Sequence, residues 1–462
     1  MNFFHFPSFF FLVVILTSSA CYTFPTPISQ KSKTFSSRLV QENTTATLSF
    51  KQPDLCDPTV VQYSGYLEVD ANEHYFFWFF ESRQDPDNAP LTMWLNGGPG
   101  CSSMTGVFDE VGPCKVNAEG TEVEYHEIGS WNRISNMLFL DQPTGTGFSY
   151  GDRKANTTDK AKLRAYQFLQ LFFEAFPKYQ KQVFHLFGES YGGHYIPAIG
   201  DYILEMNRSP NLPPNQYINL ESIGIGNGLT DVLVQDQYAE TMACHSSYGS
   251  VLSQEDCDEM KDNIPRCTEL MQICEDTGTE QDCYKATTYC AKHVEDIYLR
   301  SGRDLYDIRA PRNSNSSSQF AKFLNIPEIR TMIGGKVRFH HCLSSIKHAF
   351  YKTGDYARNY APTVGKLLDN GIRVLLFAGD ADYRANWYGG HGWTQVFDFK
   401  ASESYRTQPF NPWIIDGAEA GQVQSGGNLT FIRVYEAGHK VAYYQPKAVL
   451  QMFINHIGKI PQ

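Results

Sequence analysis

Gly188-Glu189-Ser190-Tyr191-Gly192-Gly193 sets a serine between glycines two residues before and two residues after it. A serine hydroxyl is a poor nucleophile until a neighbouring base takes its proton. The flanking small residues allow a sharp, closely packed turn that lifts the hydroxyl clear of its strand. A carboxylate and a histidine should follow in the chain order Ser, Asp, His. Gly379-Asp380-Ala381-Asp382 supplies two carboxylates, either of which could orient the base, and Asp382 is the choice. Glu436-Ala437-Gly438 then leads to His439. Negative charge developing on the substrate oxygen needs backbone amides, one following the serine and one from a loop after an early strand. Trp94-Leu95-Asn96-Gly97-Gly98-Pro99-Gly100 is such a loop, with glycines that let backbone approach the substrate. The chemistry of this set is acyl transfer.

These residues need strand ends to stand on. Four apolar runs, Leu91–Leu95, Met137–Leu140, Val183–Phe187 and Val374–Ala378, each end in a polar or glycine-rich turn. The run Val183–Phe187 feeds the serine turn, Val374–Ala378 feeds the two aspartates, and Phe431–Val434 leads toward His439. Helical stretches lie between several of the runs, notably Lys160–Ala175, and Pro446–Ile454 follows the histidine. Strands alternating with helices predict an α/β protein with a largely parallel sheet covered on both faces, ligands binding at the carboxyl ends of its strands. Tyr63–Val69 and His74–Glu81, parted by Asp70-Ala71-Asn72, read as a hairpin. From about Asp231 to Cys342 the texture changes. Six cysteines fall between Cys244 and Cys290 without a strand pattern, which predicts a mostly helical, disulfide-stapled lid insertion with a surface loop at Asn313–Ser318.

The expected organisation is a signal peptide at 1–20, a propeptide or flexible arm at 21–50, the first part of an α/β core at 51–230, a lid insertion at 231–342 and the second part of the core at 343–462. Phe9–Leu16 is apolar, too short for a stable membrane anchor, and is followed by Thr17-Ser18-Ser19-Ala20, whose small residues suit signal peptidase. Residues 21–50 are rich in Ser, Thr, Lys and Gln, and order is expected from about Cys56. Sequons at Asn43, Asn156, Asn207, Asn315 and Asn428 fit a secretory lumen, although Pro210 weakens the one at Asn207. If Cys21 lies at or near the cleaved end, ten cysteines remain, an even number that reads as disulfides in an oxidising compartment. There is no Cys-x-x-Cys pair and no histidine at ligand spacing, so neither metal nor cofactor is expected. Net charge is −11 with 19% charged residues, which gives no basic footprint for nucleic acid or an anionic membrane.

The segments Trp94-Leu95-Asn96-Gly97-Gly98-Pro99-Gly100-Cys101-Ser102-Ser103, Gly188-Glu189-Ser190-Tyr191-Gly192-Gly193-His194-Tyr195, Gly379-Asp380-Ala381-Asp382 and Ala437-Gly438-His439 resemble the signatures of the serine carboxypeptidase family. The resemblance runs from Cys56 to Ile457 and is greatest to secreted fungal carboxypeptidases. It implies an α/β-hydrolase fold, a triad of Ser190, Asp382 and His439, and an oxyanion hole of the Gly98 and Tyr191 amides. It also implies that Asn96, Glu110 and Glu189, with Trp94 and the Gly97 amide, hold the C-terminal carboxylate of the substrate. Two acids can do this only if one keeps its proton, because a carboxylic acid donates a hydrogen bond where a carboxylate repels. Neighbouring glutamates resist double ionisation, so activity on peptides should be strongest in acid.

By the same resemblance Cys101–Cys342 ties the glycine loop to the core, Cys244–Cys257, Cys267–Cys290 and Cys274–Cys283 staple the lid, and Cys56 with Cys114 is the remaining pair. Two positions depart from relatives. Ala385 stands where some carry a free cysteine, which predicts insensitivity to mercurials. Lys440 stands where the resemblance places the pocket of the departing residue and where relatives often carry Met or an acid. There a lysine either favours acidic leaving residues or turns its ammonium to solvent and selects nothing.

The reading is therefore a serine-type carboxypeptidase, secreted or vacuolar, acting on peptides or proteins with a free C-terminus, as a monomer or homodimer, with no nucleic acid or membrane partner. Two alternatives share the scaffold: an acyltransferase that passes the acyl group to an alcohol, and a non-catalytic binding or protective partner. The ordered triad argues against the latter.

Overall fold

In the computed structural model, residues 33–39, 44–69, 72–152, 154–312 and 319–459 are described, together with Met1. The remainder of the expected signal segment, the Asn43 sequon and the Asn313–Ser318 loop with Asn315 lie outside the described residues.

Among the described residues twelve strands follow one another across the main sheet: β1 (Lys33–Leu39), β2 (Thr44–Lys51), β3 (Gln62–Val69), β4 (Glu73–Phe80), β5 (Leu91–Leu95), β6 (Asn136–Leu140), β7 (Phe184–Glu189), β8 (Leu220–Gly226), β9 (Arg373–Gly379), β10 (Asn411–Ile415), β11 (Ala418–Gly426) and β12 (Leu429–Val434). Their spatial order is β1-β2-β3-β4-β6-β5-β7-β8-β9-β12-β11-β10, and Tyr150–Gly151 adds a short thirteenth strand beside β4. The six strands from β6 to β12 in this order are mutually parallel. Antiparallel ribbons extend the sheet on both sides. The parallel strands are buried on both faces, as their unbroken apolar runs require. Along β9, Val374, Leu376 and Ala378 enter one core cluster while Leu375 and Phe377 enter the other.

Helices cover the sheet. Helix α1 (Thr158–Ala175) is capped by the Thr157 hydroxyl, which accepts from the Lys160 amide, and it buries Ala161, Ala165, Phe168, Leu169 and Phe172 on one stripe. Helix α2 (Gly192–Asn207) leaves the serine turn, and its first residues lie against backbone: a Cβ on Gly193 would sit 2.2 Å from the Leu229 carbonyl oxygen. The segment between β8 and β9 carries α3 (Gln254–Thr277) and α4 (Glu280–Cys290) along with several shorter helices. Disulfides Cys244–Cys257, Cys267–Cys290 and Cys274–Cys283 lie within it, Cys101–Cys342 joins it to the glycine loop, and Cys56–Cys114 lies in the N-terminal part. Helix α5 (Ala361–Asp369) returns to the core before β9, and α6 (Pro446–Ile457) closes the described chain. No described helix is long and apolar enough to cross a membrane.

Part of the stretch expected as a propeptide or flexible arm at 21–50 forms strands. Residues 33–39 and 44–51 form β1 and β2, and β2 pairs with β3 from Ala46↔Val69 to Lys51↔Ser64. The cause is a period of two: Ala46, Leu48 and Phe50 are buried, whereas Thr47 and Ser49 are half-buried. Order thus begins ahead of Cys56.

Candidate active site

Strand β7 ends at Glu189 and α2 begins at Gly192, so only Ser190 and Tyr191 make the turn between them. Ser190 takes φ 60°, a left-handed value that strains a residue with a side chain. Three hydrogen bonds hold it there: its N–H donates to Gly226 O (3.0 Å), and its carbonyl accepts from Gly193 N (2.9 Å) and Leu229 N (2.9 Å). Its neighbours Glu189 and Tyr191 are buried, while Ser190 keeps part of its surface. The turn therefore presents its hydroxyl.

Strand β5 lies directly beside β7, with Leu95 opposite Gly188, so the glycine loop and the serine turn leave the same end of the sheet side by side. A Cβ on Gly97 would lie 2.3 Å from Tyr191 N and 2.8 Å from Ser190 Cβ, which only glycine avoids. Gly98 has φ 113°. Among the described residues, neither the Gly98 nor the Tyr191 amide donates to a protein acceptor. Beneath the loop, buried Asp141 accepts from Ser102 Oγ (2.5 Å), Ser103 N (3.0 Å) and Phe148 N (2.9 Å). The loop is further held by Cys101–Cys342 and by Leu343 N donating to Gly100 O (3.1 Å).

Asp382 lies just past β9 and His439 just past β12, and these two strands pair in parallel. His439 Nδ1 is 2.7 Å from Asp382 Oδ2. Asp382 is fully buried and also accepts from Asn227 Nδ2 (2.7 Å), Arg384 N (3.0 Å) and Ala385 N (3.2 Å). A carboxylate surrounded by donors accepts from the imidazole, so Nδ1 carries the proton and Nε2 is left as the basic nitrogen. His439 is itself fixed by its N–H to Tyr306 O (2.8 Å) and by the Tyr306 ring 4.9 Å away. Asp382, the aspartate chosen from the sequence, is the one that lies beside the imidazole, and Asp380 has other partners. Asp380 accepts from Tyr248 O–H (2.6 Å) and faces Arg433 (3.4 Å), so it ties the insertion to β12.

The candidate carboxylate-binding residues meet below the turn. Asn96 Nδ2 donates to Glu110 Oε1 (2.9 Å) and to Glu189 Oε1 (2.8 Å). Its Oδ1 accepts from Trp94 Nε1 (2.9 Å) and Gly106 N (2.9 Å), which fixes the amide's orientation. Both glutamates are buried and hydrogen-bonded to each other. Burial raises the Glu110 pKa, against the pull of that hydrogen bond and of Lys440. Burial, then the charge of Glu110, drives Glu189 well above the ordinary value. A pair in this state retains a proton between its members.

Lys440 donates from Nζ to Asp109 Oδ2 (2.6 Å). Burial opposes its charge, but Asp109 and then the two glutamates overcome this and raise its pKa. Its ammonium is therefore partnered within the protein, a contact that sequence reasoning did not foresee. Asp109, Asn227 and Asp141 were all missed, because each acts through a partner distant in the chain. Of the sequons, Asn428 is exposed in a hairpin turn and Asn156 is half-buried. The Asn207 side chain is engaged with Ile218, donating to its carbonyl (2.7 Å) and accepting from its amide (3.1 Å).

A serine on a strained strand-to-helix turn at the centre of a parallel sheet, with a histidine and an acid on neighbouring strand ends, defines an α/β-hydrolase. The family model for serine carboxypeptidase matches residues 53–459. The vacuolar serine-type carboxypeptidase ATG42 of Saccharomyces cerevisiae is 41% identical over 85% of this chain and 78% of its own length. Carboxypeptidase Y of Candida albicans is 41% identical over 86% of this chain and 73% of its own length. In structure the chain is similar to Kex1(delta)p, a prohormone-processing carboxypeptidase from Saccharomyces cerevisiae, with a TM-score of 0.75 and 24% identity over 88% of this chain and 94% of that one. The chain belongs to the serine carboxypeptidase family and is a serine-type carboxypeptidase.

Proposed function

We propose that the protein removes C-terminal residues from peptides through an acyl-enzyme on Ser190 and is most active in acid. The observation that carries this reading is the Asn96–Glu110–Glu189 cluster ending at the residue before the serine. The peptide's carboxylate accepts a hydrogen bond from the protonated member of the glutamate pair, with Trp94, Asn96 and the Gly97 amide completing the seat. This places the last peptide bond over Ser190. The Ser190 hydroxyl attacks the carbonyl carbon while His439 Nε2 takes its proton, and Asp382 holds the imidazole and balances its charge. The Gly98 and Tyr191 amides receive the oxyanion. His439 then protonates the departing nitrogen, the C–N bond breaks, and the acyl group stays on Ser190 Oγ. Water attacks the ester, again giving its proton to His439, and frees the shortened peptide and the serine.

The acid preference follows from the glutamate pair, since loss of its proton replaces a donor by a second negative charge. Lys440 borders the leaving residue in this reading, and its bond to Asp109 weakens any pull on an acidic side chain. The apolar segment Phe9–Leu16, the exposed sequon at Asn428 and the five disulfides support passage through the secretory route, to the medium or a vacuole. The test is an N-blocked dipeptide and its C-terminal amide, incubated separately with the purified protein in acid. Rapid release of the free amino acid with slow turnover of the amide is expected. Equal rates on both would remove the carboxylate seat from the account.

A further inference from the structure

A cavity lies on the β8–β9 side of the serine turn, away from the β5 side where Trp94 and Asn96 stand. Asp236, Glu295, Tyr351, Tyr356, Tyr383 and Arg384 line it. Two contacts join it to the reacting groups. The Tyr356 ring stacks on that of Tyr191, the residue after Ser190, at 6.0 Å. Arg384 donates its backbone N–H to Asp382 Oδ1 (3.0 Å). A peptide seated by its carboxylate on the Asn96 side, with its scissile carbonyl at Ser190, directs its remaining chain toward this cavity.

We infer that this cavity takes the side chain of the penultimate residue, and that Arg384 makes it select carboxylate and amide side chains over basic ones. The inference rests on the carboxypeptidase direction proposed above. The Arg384 guanidinium donates to Glu295, Tyr351 and Tyr356, which uses three of its five N–H groups. Two remain for an acceptor on the substrate. Glu295 balances one positive charge, but Lys347 adds another beside the cavity-lining Tyr351, with its Nζ 5.5 Å from that ring's centroid, although burial and then Arg384 lower its pKa. Asp236 is the other acid in the cavity. Burial pushes its pKa up to about 7, so in acid it is neutral and does not offset the excess. The cavity is thus polar, donor-rich and net positive under the conditions in which the enzyme works. A lysine or arginine side chain would meet like charge, and a leucine would leave the guanidinium donors unpaired.

The experiment measures kcat/KM for N-blocked dipeptides ending in Leu, with Glu, Leu or Lys as the penultimate residue, at about pH 5.5, between the ordinary Glu value and the raised Asp236 value. Wild type is expected to favour Glu over Lys by about tenfold, as for a site whose buried donors discriminate. Glu295→Gln, which removes a negative charge and keeps the shape, raises that ratio. Arg384→Met with Glu295→Gln lowers it toward one. The preference among C-terminal residues, read in the same proteins, keeps its order. If wild type cleaves these peptides but favours Lys, or if neither variant moves the ratio, the inference is overturned and the carboxypeptidase reading stands. Absence of cleavage of any of the three overturns both.

Discussion

Replacing both Glu110 and Glu189 by glutamine should take the pH dependence out of peptide binding. The expected magnitude follows from the hydrogen-bond count. Asn96 Nδ2 supplies one donor to each glutamate, and the bond between the two carboxyls requires a single proton. If one proton is needed for the substrate carboxylate to dock, KM for a peptide climbs about tenfold per pH unit once that proton is lost. Burial and mutual repulsion raise both pKa values, so the climb begins above the ordinary Glu value of about 4.3. Glutamine donates through N–H and does not titrate, so in the double variant KM stays level across the same range. The assay is kcat and KM for one N-blocked dipeptide from about pH 4 to 8, beside an ester without a free carboxylate as reference. Stability provides a second readout with its own sign. Between the ordinary and the raised value the folded protein holds a proton that the unfolded chain has released, so wild-type stability falls as pH rises through that window. The double variant lacks this fall. A peptide KM that climbs with pH as steeply in the double variant as in wild type would refute the reasoning.

Asp382→Asn should lower kcat by about 10⁴ with little change in KM, because an amide at this position no longer fixes the His439 tautomer; steady-state kinetics on a blocked dipeptide checks it. Gly97→Ala would drive a Cβ to 2.3 Å from Tyr191 N and shift the oxyanion amides, so kcat should fall by about 10²–10³ with the fold kept, read by kinetics and circular dichroism. Lys440→Met should change the ratio of kcat/KM for peptides ending in Glu and Arg by no more than a few-fold, about 1 kcal/mol, since Asp109 already engages the ammonium; a ratio shifted a hundredfold would mean that the lysine leaves Asp109 to meet the substrate.

The reacting groups were legible in the sequence because each imposes a local demand. A strained serine turn needs glycines two residues away on both sides, and an oxyanion loop needs glycines that admit close backbone, as the contact of Gly97 with Tyr191 N illustrates. The apolar runs 91–95, 137–140, 183–187 and 374–378 were readable as strands because burial on both faces leaves them without polar interruption. Elements with one wet face were not. Strand β2 hides its alternation among threonines and serines, and at the far edge β10 is mostly exposed while β11 mixes exposed, half-buried and buried positions without strict alternation, so none of them announced itself. Long-range pairing escaped altogether. Nothing near Asn227 or Asp109 in sequence points to Asp382 or Lys440, and Asp380 and Asp382 differ only in what the fold sets beside them: Tyr248 and Arg433 for one, His439 for the other. The charged cavity of Arg384, Glu295 and Asp236 likewise exists only once the insertion has folded over β9.

The central claim is that Ser190 is the nucleophile of a carboxypeptidase, and the most direct measurement is the turnover of an N-blocked dipeptide by Ser190→Ala in acid. The hydroxyl stands at a partly exposed turn and buries little, so the variant should fold with an unchanged melting profile. The account predicts that release of the C-terminal amino acid falls to the trace level that oxyanion binding alone supports, about 10⁶-fold below wild type. A folded Ser190→Ala protein that releases the amino acid at a rate within tenfold of wild type would contradict it.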